Sequence, residues 1–171
     1  MTSGSLFRPR AMLQMLEDEE VEYVVIGGIA AGLGGASHVT FDLDITPLRE
    51  RSNLDRLARA LVRLNARLRE VPDQVADAFQ LDGATLDNGS VWNFQTEYGQ
   101  LDVALEPSGT RGYQDLRRGA KKTDLEGLTI LLASLEDVIR SKEAADRPRD
   151  HAVLPDLRRT LELRRERERR S

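Results

Sequence analysis

The stretch Ile26-Gly-Gly-Ile-Ala-Ala-Gly-Leu-Gly-Gly-Ala-Ser-His-Val-Thr-Phe-Asp-Leu-Asp-Ile constrains the fold more than any other part of the chain. It enters from Tyr23-Val-Val-Ile, which is short and β-branched, the pattern of a buried strand. Gly27-Gly28 ends that strand, and Ile29-Ala-Ala-Gly-Leu reads as a small-residue helix packed closely on a sheet. A second strand, Val39 to Ile45, then alternates side-chain type. Thr40, Asp42 and Asp44 share one face, and Phe41, Leu43 and Ile45 share the other.

Two aspartates one residue apart on a strand aim their oxygens the same way, toward a hard divalent cation. Mg²⁺ prefers a few carboxylates together with phosphate oxygens, and Mn²⁺ accepts the same donors. A third carboxylate on a neighbouring strand completes a site for two ions about 3.5 to 4 Å apart. Asp102 is the natural third member, because it lies in the second strand of a hairpin: Asn88-Gly89 turns into Val91-Trp-Asn-Phe-Gln-Thr, and Tyr98-Gly99 turns into Gln100-Leu-Asp-Val-Ala-Leu-Glu. Gly27 and Gly28 leave room for a triphosphate, and the helix beginning there aims backbone N–H groups at it.

Elsewhere the pattern is helical over Phe7 to Glu20, where Met12, Leu13, Met15 and Leu16 fall on one face. It is helical again from Asn53 to about Glu70, where Leu54, Leu57, Leu61, Leu64 and Leu68 recur every three or four residues between arginines. Arg111 to Gly119 reads as a short helix and Lys122 to Ile130 as one or two short strands. Leu135 to Ala145 reads as a helix capped by Ser134, and a last helix runs from about Asp150 through the Arg/Glu-rich tail. The fold class expected is α/β: a small mixed sheet flanked by helices, with a helical C-terminal portion. At 171 residues the chain fits one domain, about 1–131 forming the core and about 132–171 the helical part.

Composition narrows the chemistry further. There is no cysteine, which removes thiolate metal sites and thiol nucleophiles, and two histidines leave little for a zinc site, so a bound metal should have oxygen ligands. No apolar run approaches the roughly 18 residues of a membrane span, and the N-terminus lacks the apolar stretch of a signal peptide, so a cytoplasmic protein without a membrane partner is expected. A net charge of −4 argues against coating nucleic acid by bulk attraction.

In order, strand, Gly-Gly, helix, Asp-x-Asp and a later strand Asp resemble the nucleotidyltransferase superfamily with the DNA polymerase beta-like fold. The later segment Asp137-Val-Ile-Arg-Ser-Lys-Glu-Ala-Ala-Asp-Arg-Pro-Arg-Asp, together with Gly-Gly in place of the more usual Gly-Ser, is similar to the AbiEii/MenT toxin group. That resemblance implies a triphosphate (NTP) substrate, a palm-like sheet, and a helical lysine reaching the triphosphate, here Lys142. It also implies a required aspartate at the start of the next helix, here Asp150. For this group it further implies the 3′ end of tRNA as acceptor and a cognate antitoxin as partner; other members of the superfamily modify proteins or small molecules. A catalytically silent nucleotide-binding or regulatory module of the same fold is the competing class.

Each candidate has a plainer reading. Lys142 is otherwise a solvated helix-end lysine, and Asp150 an N-cap. Thr40 either meets a phosphate or holds an aspartate. His38 reads as a loop histidine, and Trp92 and Phe94 alternate into the core. The tail from Arg158 to Arg170 has seven arginines against three glutamates, a solvated helix end or an RNA-backbone contact.

Overall fold

The computed structural model describes residues 6–36 and 40–171. His38 and the expected strand start at Val39 lie outside the described residues. Among these residues seven strands form one mixed sheet in the order β3-β4-β5-β2-β1-β7-β6. The strands are β1 Tyr23–Ile26, β2 Asp42–Pro47, β3 Arg67–Leu68, β4 Val91–Thr96, β5 Gly99–Ala104, β6 Lys121–Leu125 and β7 Leu128–Leu132. Eight helices flank them: α1 Pro9–Asp18, α2 Gly27–Leu33, α3 Arg51–Arg63, α4 Asp73–Ala78, α5 Gly83–Asp87, α6 Tyr113–Gly119, α7 Leu135–Ala145 and α8 Pro148–Arg170. The mixed α/β class expected from the sequence is the one observed. The one or two strands expected over Lys122 to Ile130 are β6 and β7, and the short β3 is the strand that was not expected.

Alternation sorts the central strands into two faces. Leu43 and Ile45 of β2, Phe94 of β4, and Leu101 and Val103 of β5 are fully buried, and with Leu54, Leu57 and Leu61 of α3 they form the core on one side. Asn53, buried at the start of α3, accepts from the Glu22 N–H at 2.8 Å. It also donates to the carbonyls of Glu22 and Leu48 at 2.9 and 2.8 Å, tying the helix to the ends of β1 and β2. The opposite face carries Asp42, Asp44 and Asp102, and there α7 packs against α2 and α8.

Two local readings change. Helix α3 ends at Arg63, because Asn65 adopts a left-handed backbone (φ 50°) that stops it; Leu68, expected to continue the helical stripe, belongs instead to β3. Phe41, expected on the core face of the second strand, precedes β2 and is 73% exposed. No described helix is long and apolar enough to cross a membrane.

Candidate active site

Asp42 and Asp44 project from β2, which pairs in parallel with β5 so that Asp44 stands directly opposite Asp102. One carboxylate oxygen from each of the three lies within 4.8 Å of the others. Burial, then the charges of Asp42 and Asp102, push the Asp44 carboxyl up to about 7, with Lys142 and Arg149 opposing in part. Asp102 is also raised, by burial first, although the Arg69 guanidinium pulls the other way. Three like charges this close are costly without a cation, and all the donors are hard oxygens. The residues present therefore fit a hard divalent cation and fit no soft metal.

Glycine is needed beside them. Gly27 has φ +69°, and a Cβ there would sit 2.2 Å from Oδ2 of Asp44. The strand-to-helix turn thus brings bare backbone against the carboxylate. Thr40 donates its hydroxyl to Oδ1 of Asp42 at 2.6 Å.

The three aspartates line a cleft of about 500 Å³ with Gly27, Gly28, Asn93 and Val91, and with Lys142 of α7, Arg147 between the helices, and Arg149 and Asp150 in the first turn of α8. Asp150 is buried at 1% exposure. It accepts from Arg147 Nε at 2.7 Å and Nη2 at 3.2 Å, and from Lys142 Nζ at 3.4 Å. Burial alone would raise its pKa; the Arg147 hydrogen bond and charge, with Lys142, outweigh it and hold the carboxyl low. Pro148 takes the first position of α8, so Asp150 is the third residue of that helix, and Arg147 rather than Asp150 is the cap. The plainer reading of Asp150 as an N-cap gives way to a buried anion joining two cations at the cleft wall.

The sequence does not single out Asn93 and Arg149, which line the cleft, or Arg69, which holds Asp102. Asn93 pairs across the hairpin with Asp102. Arg69 follows β3, where its backbone N–H donates to the Asn93 carbonyl at 2.9 Å and its guanidinium holds Oδ1 of Asp102. Arg149 adjoins Asp150 on α8. The alternation Arg67-Leu68-Arg69 was the available signal for Arg69, hidden by the leucine spacing that precedes it.

Trp92 packs with Phe79 at 5.1 Å between ring centroids and donates its indole N–H to the Leu86 carbonyl, so it belongs to the core side as expected. In the tail, Arg158 pairs with Glu143 at 2.7 Å and Arg164 donates to the Gly34 carbonyl at 2.6 Å, which fastens α8 to the body. A larger hollow, about 600 Å³, lies between α2, α6, α7 and α8. Its Arg140 is engaged by Asp115 and Asp137, and it holds none of the three clustered aspartates.

No family model matches the chain, and the comparison with curated proteins finds no match. Solved structures do. The lincosamide antibiotic adenylyltransferase LnuA in its lincomycin-bound form superposes with a TM-score of 0.60 at 16% identity, over 91% of this chain and 98% of that one. The antibiotic-resistance factor ANT(2'')-Ia in solution gives 0.55 at 16% identity, over 89% and 80% of the two chains. The same factor in complex with adenylyl-2''-tobramycin gives 0.53 at 16%, over 95% and 97%. By its architecture, this chain carries the nucleotidyltransferase fold.

Proposed function

We propose that the protein is a Mg²⁺-dependent nucleotidyltransferase that moves a nucleotide from an NTP to a hydroxyl acceptor. The observation that carries this reading is the convergence of Asp42, Asp44 and Asp102 within 4.8 Å on a cleft whose other wall carries Lys142, Arg147 and Arg149. In the reaction an acceptor oxygen bonds to the α-phosphorus, the bond from that phosphorus to the β-bridging oxygen breaks, and pyrophosphate leaves. Asp42, Asp44 and Asp102 would hold two Mg²⁺ ions, which supply charge neutralisation at the triphosphate and a lowered pKa for the attacking hydroxyl.

The chain's own groups divide the remaining work. Gly27 and Gly28 offer backbone without side chains beside Asp44. Lys142 and Arg149, both lining the cleft, would meet the β and γ phosphates as cations, Lys142 being steadied by the buried Asp150. Thr40 fixes the orientation of Asp42. Asp102, whose proton affinity is raised by burial, would take the proton that the acceptor hydroxyl gives up.

The acceptor is a hydroxyl compound in either of two settings. The neighbours LnuA and ANT(2'')-Ia are named for antibiotics, and lincomycin and an adenylylated tobramycin occupy two of those structures. The resemblance to the AbiEii/MenT toxins points instead to the tRNA 3′ end, with an antitoxin as partner. Incubation of the protein and Mg²⁺ with each labelled NTP, in parallel with total RNA and with hydroxylated antibiotics, separates these settings. Pyrophosphate release together with a labelled acceptor is expected, and Asp42→Ala should abolish both. If the wild type binds NTP yet matches Asp42→Ala in labelling nothing across both panels, the silent binding module replaces this reading.

A further inference from the structure

We infer that Arg69 is a positioning residue for Asp102, holding one carboxylate oxygen so that the other is presented to the metal-binding cluster. This rests on the nucleotidyl-transfer reading above. The guanidinium engages Oδ1 of Asp102, and both side chains are largely enclosed, at 17% and 18% exposure. The next carboxylate to Arg69, Glu70, is 3.8 Å away and 74% exposed. Nε of Arg69 is buried and donates to no acceptor among the described residues, so the arginine accepts an unsatisfied donor for the sake of its hold on Asp102.

The backbone is arranged for the same contact. Strand β3 is two residues long, and its ladder with β4 continues for one further hydrogen bond, from Arg69 N–H to the Asn93 carbonyl. At Glu70 the chain turns left-handed, with φ 61°. Asn93 is in turn the ladder partner of Asp102. Arg69, Asn93 and Asp102 therefore form one row across three adjacent strands, a row that Asp44 extends onto β2. Without Arg69, Asp102 can rotate about its side-chain torsions and lend either oxygen to the cluster. An orienting partner of this kind commonly contributes 10- to 100-fold to activity.

The guanidinium has a second, opposite effect. Its charge offsets one of the three carboxylates, so it weakens cation binding to the free protein while it orders the ligand. Removing it should therefore tighten metal binding and slow turnover together. A structural defect would weaken both.

Two variants and two readouts test this. For Arg69→Ala, Mn²⁺ binding to the nucleotide-free protein, followed by electron paramagnetic resonance, should be several-fold tighter than in the wild type. Its kcat should fall about 10- to 100-fold, with KM for the NTP within about twofold. Arg69→Lys, which keeps the charge and loses the fork, should bind Mn²⁺ like the wild type and have an intermediate kcat. Unchanged kcat in both variants, or weaker Mn²⁺ binding in a folded Arg69→Ala, overturns the assignment. If the wild type itself transfers no nucleotide, the reaction reading fails on its own, and the Mn²⁺ arm still decides whether Arg69 acts on Asp102.

Discussion

Gly27 and Asp44 meet so closely that a single methyl group on the glycine would lie 2.2 Å from the carboxylate Oδ2. The glycine also sits at φ +69°, where a side chain is strained. Gly27→Ala should thus cost about 1–2 kcal/mol in stability from the backbone alone and displace Asp44, removing transferase activity. Gly127→Ala is the control: it has φ +90° with nothing within 4 Å of its Cβ, in the β6–β7 turn. It should show a similar thermal loss and full activity. Equal activity in both variants would mean that Asp44 tolerates displacement.

The raised pKa of Asp44 makes a statement about stability. A carboxyl bound more tightly to its proton when folded favours the fold below its unfolded value near 3.8, and loses that advantage as pH rises to about 7. Metal-free wild type should therefore melt at progressively lower temperature than Asp44→Asn as pH rises from 4 to 7, with a gap of about 4 kcal/mol above pH 7. The same variant should be inactive. Thermal melts of both proteins in chelator, across that range, give the difference directly; parallel curves would refute the burial argument.

Cation binding must expel the proton that Asp44 retains. Calorimetric titration with Mg²⁺ at pH 6.5, in two buffers of different ionisation enthalpy, should show proton release. Affinity should rise between pH 6 and 8. Asp44→Asn should remove the buffer dependence, and its persistence there would assign the proton elsewhere.

Asp150 and Lys142 should separate in their effects. Asp150→Ala leaves Arg147 and Lys142 without their shared buried anion, and should cost about 1–3 kcal/mol because Arg147 is half exposed and can be solvated. Lys142→Ala leaves the Asp150–Arg147 pair intact at 2.7 Å, so the protein should melt near the wild-type temperature while KM for the NTP rises. Chemical denaturation alongside initial rates checks both. A large stability loss in Lys142→Ala would make that lysine structural.

The sequence exposed those parts of the fold whose cause is local. Asp42 and Asp44 were tied together by strand alternation. Asp102 could be placed because a hairpin has two recognisable turns, and its position opposite Asp44 is the observed register. Arg69 was concealed because Leu64 and Leu68 keep helical spacing across a break that Asn65 makes with its backbone. Helices α4 and α5 are one or two turns long, too short for a periodic signal, although Asp82 accepting from the Thr85 N–H marks the start of α5. Asp150 lies three positions beyond the cap, because Pro148 takes the first helical position and leaves Arg147 as the cap. What stayed hidden depends on neighbours distant in sequence.

The parallel pairing of β2 with β5 has a consequence for the order of events during synthesis. Asp44 and Asp102 belong to segments that meet only after α3, two short helices and a hairpin strand have been made, and β2 is a strand between two others rather than an edge. Closing so long an intervening loop is among the slower steps of folding. A chain that has emerged only as far as α3 thus exposes two of the three acidic groups and lacks the third. Chemical competence arrives with long-range assembly, not with the motif that first reveals it.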